Sequence, residues 1–443
     1  MIHPQRSRQA RPSNSVWQWA LPALALPALS LLPQCVFAQV AATVSATGQY
    51  QYNSNVFALQ RGFLPAPGYY SDAASYYAYG AGLNLSDQIS LQNIYLRGTD
   101  TEYKYDHFGL SHNEYALDAG WLWKVGDDLN GNFDISRAHT MVPFQELTTL
   151  TTAALQLYTS TDQRETATVD YQFNSRWGLD GTAFTDRDEE PLLGEPDLVL
   201  SDSGAGLALR VGGNGELKGS LAANYQHGDY TNAILYLSPA YNQWDWNVGI
   251  AYQPVPQGSP TVVDFAIGET TRSSAFDYDS TSAWTGHLNF TRVLTGKTTV
   301  KLGLLRDVSS YLATASSATD TAATLSATWQ ATFKTGFGLG YTVDYSLYPG
   351  YVLQPGGPPR ARGDHYQYAT FTVTYATTRW LTIMPYFNFQ TRRSNLYGAN
   401  FNATQYGVAV TLAWQNRLAA APATPAAPAV PGGPVGPAAP VVP

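Results

Sequence analysis

The stretch Thr404-Gln405-Tyr406-Gly407-Val408-Ala409-Val410-Thr411-Leu412-Ala413-Trp414 decides the fold. Tyr406, Val408, Val410, Leu412 and Trp414 share one parity, and Gln405, Gly407, Ala409, Thr411 and Ala413 share the other. Side chains alternate across a strand, so the two sets face opposite sides. One face is apolar and ends in aromatics; the other is small or polar. A soluble sandwich would bury the apolar face, whereas a transmembrane barrel would turn it to lipid and keep the small polar groups inside. One strand fits both, so the choice rests on whether the chain repeats the pattern.

It does. Tyr77, Tyr79, Ala81, Leu83 and Leu85 alternate with Ala78, Gly80, Gly82 and Asn84. Tyr115, Leu117, Ala119, Trp121 and Trp123 alternate with Ala116, Asp118, Gly120 and Leu122. Trp244, Trp246, Val248, Ile250 and Tyr252 alternate with Asp245, Asn247, Gly249, Ala251 and Gln253. Phe337, Leu339, Tyr341, Val343 and Tyr345 continue the series against Gly338, Gly340, Thr342, Asp344 and Ser346. Connections alternate in length as well. Short ones fall at Asp87-Gln88, Gly126–Asp128, Ser175-Arg176, Gly212–Gly215, Thr295–Lys297, Lys334–Gly336 and Thr378-Arg379. Long ones fall at Asn53–Ala74, His139–Thr151, Arg187–Val199, Asn232–Ala240, Ser309–Thr319 and Pro349–Gly363.

Short turns alternating with long loops are the layout of an outer-membrane barrel, and a Greek-key sandwich has no reason to follow it. The segmentation predicts an all-β, antiparallel, up-and-down transmembrane barrel of about eighteen strands, with about sixteen as the fallback. A first strand near Ala42–Tyr52 should pair with Tyr406–Trp414 and close the barrel, leaving no free edge. Pro385 interrupts the face shared by Leu381, Ile383, Phe387 and Phe389. It cannot donate to the ladder, so a bulge or a strand end is expected there. Trp121, Trp123, Trp177, Trp244, Trp246, Trp380 and Trp414 sit near strand ends, as interfacial girdles require.

Composition agrees with this reading. The chain is 13% charged and carries 30 Tyr, a balance that suits strands better than soluble helices. Arg6, Arg8 and Arg11 precede an apolar run from Val16 to Leu32, and Val36-Phe37-Ala38 offers a cleavage site. Residues 1–38 read as a secretory signal, with the barrel over 39–417. The one cysteine, Cys35, follows Leu32-Pro33-Gln34, which lacks the small residues of a lipoprotein site, so it leaves with the signal. The leader takes three Arg and no acid, and the mature chain is more acidic than the whole chain's net −8. Nucleic acid is therefore excluded as a partner. Residues 418–443 are almost wholly Ala, Pro, Gly and Val and read as an extended, disordered tail on the periplasmic side.

Enzyme signatures are missing. The chain has no Gly-x-Ser-x-Gly elbow, no His-Glu-x-x-His, no Walker loop and, once the leader is gone, no Cys/His cluster. No catalytic residue, cofactor or metal ligand is assigned. Asp186-Arg187-Asp188-Glu189-Glu190 reads as a solvated acidic loop and not as a cation site. What remains is a lined lumen. Parity places Asp118, Asp134, Asp170, Asp180, Arg210, Lys218, Asp245, Asp264, Lys301 and Asp344 on its wall. Acids exceed bases there, which predicts a weak cation preference for an open pore.

Short pieces also carry a resemblance. Ser54-Asn55-Val56-Phe57-Ala58-Leu59 follows the first strand, Ser273–Ser280 precedes a Leu294-Thr295-Gly296-Lys297-Thr298-Thr299 turn, and Arg306-Asp307 follows it. In that order they resemble outer-membrane barrels associated with bacterial exopolysaccharide synthesis and export, often beside exosortase systems. The resemblance implies a non-enzymatic barrel that helps a polysaccharide cross the outer membrane, with periplasmic export proteins as partners. It spans the layout from Gln39 to Trp414 and is specific only in those pieces. The chain departs from the usual barrel ending, because Gln415-Asn416-Arg417 and the Ala/Pro tail follow Trp414. The signal read by the barrel assembly machinery is then internal, at Tyr406–Trp414. A general or substrate-specific porin for small solutes is the first alternative. A binding or scaffold barrel plugged by loops such as Asn53–Ala74 is the second, and a barrel enzyme acting on lipid or polymer the last.

Overall fold

The computed structural model describes residues 40–63, 71–144, 157–190, 197–212, 216–231, 240–254, 260–274, 280–311, 316–352 and 360–416. The expected signal and the Ala/Pro tail lie outside them. The strands are β1 (Ala41–Asn53), β2 (Ala74–Ile89), β3 (Gln92–Tyr105), β4 (His112–Val125), β5 (Leu129–Met141) and β6 (Thr159–Gln172). They continue as β7 (Trp177–Glu190), β8 (Leu198–Val211), β9 (Leu217–Thr231), β10 (Ala240–Tyr252), β11 (Thr261–Ser274) and β12 (Thr281–Thr295). The last six are β13 (Thr298–Tyr311), β14 (Ser316–Gln330), β15 (Thr335–Val352), β16 (Arg360–Ala376), β17 (Leu381–Ser394) and β18 (Phe401–Gln415).

Each strand pairs antiparallel with its sequence neighbours, and β1 pairs with β18, closing one 18-stranded barrel. The closing register sets Val44 against Trp414, Tyr50 against Val408 and Tyr52 against Tyr406. The seam joins like faces, so both edges vanish without exposing a polar stripe.

The wall is inside out relative to a soluble protein. Tyr77, Leu117, Leu207, Leu221, Val248, Ile250, Leu325, Leu339, Phe387, Tyr406 and Leu412 all point outward and are exposed. Their partners in the alternation face the interior. An apolar outer surface of this extent needs an apolar solvent, and a closed ladder is the only sheet that can lie in one. Exposed Trp121, Trp177, Trp329, Trp380 and Trp414 gather at the short-turn end, and Trp244, Trp246 and Trp284 toward the long-loop, or outer, end. They form the two girdles that bound the lipid.

A tilted strand of about 9–11 residues crosses the hydrocarbon. The strands here run from 13 to 18 residues, so they project beyond it at the outer end. The outward face turns polar there, with Asp100, Glu102 and Lys104 on β3, Arg187 and Glu189 on β7, and His227 and Asp229 on β9.

This projection corrects several expected loops. Asp186–Glu190 is the outer end of β7, not a solvated loop. Residues 309–311 and 316–319, expected within a loop, belong to β13 and β14. The turn expected at Asp87-Gln88 is at Ser90-Leu91, where Ser90 takes a left-handed φ of 58°. Pro385 makes neither a bulge nor a strand end. It stays in register with Val408, and the β16–β17 ladder merely lapses between Thr372↔Tyr386 and Tyr375↔Ile383. The missing N–H costs one rung, and the rungs on either side keep the strand in line.

Candidate functional site: a lumen packed at its outer mouth

All ten residues named above for the lumen wall lie on the face opposite the exposed apolar set. They form separate groups. Arg210 bridges Asp170 and Asp180, with its Nε 2.6 Å from an Asp180 oxygen. Asp118 meets Arg97 at 3.5 Å. Asp134 accepts from Tyr95 and from Asn132. Asp264 lies 2.8 Å from His287 Nε2. Gln243 donates to both oxygens of Asp245, at 3.3 Å each, and Ser346 to Asp344 at 3.5 Å. Lys218 lies close enough to Asp180 to join the Arg210 group electrostatically, and Lys301 shares the same face.

Most of the packing lies higher. The largest fully buried side chains include Arg272, Tyr76, Tyr241, Phe57, Leu110, Asn388 and Asp364, all in the outer half or the outer loops. Three assemblies build this mouth. The first lines the seam. Gln49 Nε2 donates to the Tyr386 hydroxyl at 2.5 Å, and that hydroxyl donates to Gln51 Oε1 at 2.6 Å. Tyr76 stands 3.2 Å from Gln49, and Asn388 donates to Gln405 at 3.4 Å.

The second assembly centres on Asp364, whose side chain is fully buried. Oδ2 accepts from Arg362 at 2.6 and 2.9 Å and from Arg392 at 2.7 Å, and Oδ1 accepts from Ser394 at 2.5 Å. Tyr348 and Tyr366 lie under the two guanidiniums. A buried carboxylate with that many charge-assisted bonds locks the upper ends of β16 and β17 together.

The third is the segment after β1. Asn55 closes it into a tight turn, accepting from Leu59 N at 2.9 Å and donating to Leu59 O at 2.8 Å. It also donates across the seam to Asn402 O at 3.1 Å. Ala58, at φ 52°, lies within the turn. The turn delivers Phe57 into a cluster with Leu59, Leu110, Met141 and Phe144, where it meets Phe144 at 4.7 Å between ring centroids. A small cavity beneath is lined by Gln51, Tyr76, Gln390 and Gln405 of the wall and by Asn55, Val56, Ala58 and Phe144 of the loops. The segment therefore lies over the inner wall at the mouth.

Sequence reading missed Asp186, Asp188, Asp202, Arg272, Arg362, Asp364 and Arg392 as lumen groups. Parity finds them, because each continues its strand's inward set; Asp186, Asp188 and Arg362 fall in expected loops, and the other four lie in the strands and were passed over. Among the described residues no three His, Cys, Asp or Glu side chains stand as a metal-holding group. Arg306 and Asp307 diverge: Arg306 stacks on Trp284 outside, while Asp307 opposes Asp320 within.

No family model matches the chain, and no curated protein does. Solved structures similar to it include the siderophore receptor PirA from Acinetobacter baumannii, at 8% identity and a TM-score of 0.45, covering 84% of this chain and 80% of that one. The ferric enterobactin receptor PfeA from Pseudomonas aeruginosa, in complex with enterobactin, is similar at 8% identity and a TM-score of 0.45, covering 84% and 81%. Pseudomonas aeruginosa OpdO is similar at 13% identity and a TM-score of 0.46, covering 85% and 97%. At these identities no ligand or activity carries over, and none of the matches identifies the family that Ser54–Leu59 and Leu294–Thr299 resemble.

Proposed function

We propose that this chain is a porin-like barrel of the bacterial outer membrane that passes small polar solutes and favours cations. The observation that carries the reading is the wall itself, apolar where it meets lipid and acidic within. Barrels of about 18 strands are wide enough to hold an aqueous channel. Along β6, β7 and β8 the interior carries Asp162, Asp170, Asp180, Asp186, Asp188 and Asp202 against Arg164 and Arg210. A field of that sign concentrates cations and repels anions. The leader of residues 1–38 supplies the route to the envelope, and lipid and the assembly machinery are the implied partners.

Reconstitution in planar bilayers tests this. Ion current with a reversal potential on the cation side in a salt gradient is expected. Silence, or a clear anion preference, would overturn it.

A second reading is export of an exopolysaccharide, with periplasmic export proteins as partners. The seam's Gln49, Gln51, Tyr76, Tyr386, Asn388 and Gln405 favour it, because amides and tyrosines bind sugar hydroxyls. Deleting the gene should then leave polymer inside the envelope; normal surface polymer would remove this reading and spare the first.

A further inference from the structure

We propose that Arg272 is the anchor of an oxyanion-binding site at the outer mouth, roofed by the β13–β14 hairpin. Arg272 is on the inner face of β11 and is 1% exposed. Its guanidinium lies 3.4 Å from the centre of the Tyr241 ring, and Nη1 donates to Ser310 Oγ at 2.9 Å. Nε and Nη2 are buried and have no hydrogen-bond partner. Those two N–H groups point the same way. They are the edge of the fork that grips two oxygens of a carboxylate or a phosphate at once. A cation buried with its bidentate edge unfilled is costly, and the cost falls when an acceptor pair arrives.

The surroundings are arranged for this. The nearest acid, Asp202, is engaged elsewhere, accepting from the Tyr241 hydroxyl at 2.8 Å and from Gln226 at 3.0 Å. It compensates the guanidinium from the far end of Tyr241 without occupying the fork. The buried Tyr230 hydroxyl lies beside Arg272 and Ser310 without a well-formed hydrogen bond to either, and can turn to the same ligand. Carboxylate or phosphate is the class that fits, since both present paired oxygens.

The roof has a way to open. β12 pairs with β13 only as far as Gly286↔Arg306, although β12 extends back to Thr281 and pairs with β11 up to Thr281↔Arg272. Above Arg306 the hairpin leaves that neighbour and reaches over the lumen, where Val308 is buried and Ser310 bonds to both Arg272 and Tyr241. On the β12 side its hold is the Ser310 contact alone, while on the other side β14 stays laddered to β15 as far as Thr319↔Leu347, so the hairpin can swing only about that edge. The proposal does not require the barrel to conduct, so its test is equilibrium binding.

The full-length barrel, folded in detergent, would be titrated calorimetrically with inorganic phosphate and, separately, with acetate at fixed ionic strength. Saturable binding of at least one is expected, and which one binds separates a phosphate ligand from a carboxylate. Arg272→Lys keeps the charge and loses the fork, and Arg272→Gln loses both. Both should bind roughly tenfold or more weakly. Heat-modifiable mobility in gels would confirm that each variant is folded. No saturable binding to the wild type, or wild-type affinity in both Arg272→Lys and Arg272→Gln, would overturn the site.

Discussion

The two ends of the lumen are made from the same strands and the same alternation, yet they are different materials. Toward the short turns the inward positions are Gly336, Gly338, Gly340, Thr372 and Thr374 on β15 and β16, and Thr411 and Ala413 on β18. They are small and half-exposed, and they leave water room. Toward the outer loops the inward positions of those same strands are Tyr348, Tyr366, Asp364, Arg362 and Gln405, all buried. Position along the strand, and not the strand's identity, sets whether an inward residue meets water or protein. The wide part should therefore govern ion throughput little, and the mouth should govern it strongly.

The largest effect is expected from the feature both ends share. Val408→Asp with Val410→Asp places two charges on the lipid face beside the seam, at roughly 2–4 kcal/mol for each basic charge at the midplane and somewhat less for an acid. No folded barrel should reach the membrane fraction, as judged by heat-modifiable mobility. Normal assembly would show that this strand does not face lipid, and the comparison between the two ends would lose its frame.

The next break is confined to the mouth. Phe57→Ala removes the centre of the loop cluster and should cost roughly 3–5 kcal/mol locally, as deletions of a buried Phe do. The ladder is untouched, so the barrel should still assemble. Single-channel conductance should rise, and amides of residues 54–59 should exchange faster. Unchanged conductance would mean that the constriction lies elsewhere, among the Arg and Tyr groups of β16 and β17.

That division also explains what the sequence could and could not show. Thr404–Trp414 revealed the wall because period 2 persists wherever one face meets lipid. The closing pair β1–β18 followed from the same parity. The mouth was harder to read, since beyond the lipid both faces of a strand can be polar. Asp186 and Asp188 then look like a charged loop although they continue the parity of Asp180. Phe57 stands out only within the Ser54–Leu59 piece, and parity turns Arg272 inward, but neither signal says what the side chain touches. What they touch, Phe144 in one case and Ser310 in the other, comes from distant parts of the chain.

A smaller effect tests the sign of the field. Burial pushes the Asp186 and Asp188 carboxyls up, to about 7 and about 6, so on the alkaline side of both Asp186→Asn with Asp188→Asn removes two charges from the outer part of the β7 wall while Arg210 keeps its partners Asp170 and Asp180. Cation preference should weaken, with the reversal potential moving toward zero, and the change should shrink as salt rises because screening falls on both ions. An equal shift from Lys301→Gln, in the opposite sense, would mean that the wide part controls selectivity as much as the mouth does.

The finest test places one methyl at each level. A Cβ at Gly228, inward on β9 near the mouth, would fall 2.2 Å from Asp202 Oδ1 and 2.3 Å from Tyr241 Cε1. Asp202 Oδ1 is held by the Tyr241 hydroxyl, and the Tyr241 ring by the Arg272 guanidinium over it, so neither can yield cheaply. A Cβ at Gly303, inward on β13 in the wider part, would meet Asn289 Oδ1 at 3.6 Å and Thr324 Cβ at 3.9 Å, ordinary contacts. Gly228→Ala should therefore lower thermal stability by about 1–3 kcal/mol through overpacking. Gly303→Ala should stay within about 0.5 kcal/mol of the parent. Matched thermal unfolding in one detergent reads both. Equal losses would show that the wider part is packed as tightly as the mouth, and a neutral Gly228→Ala would show that the mouth yields.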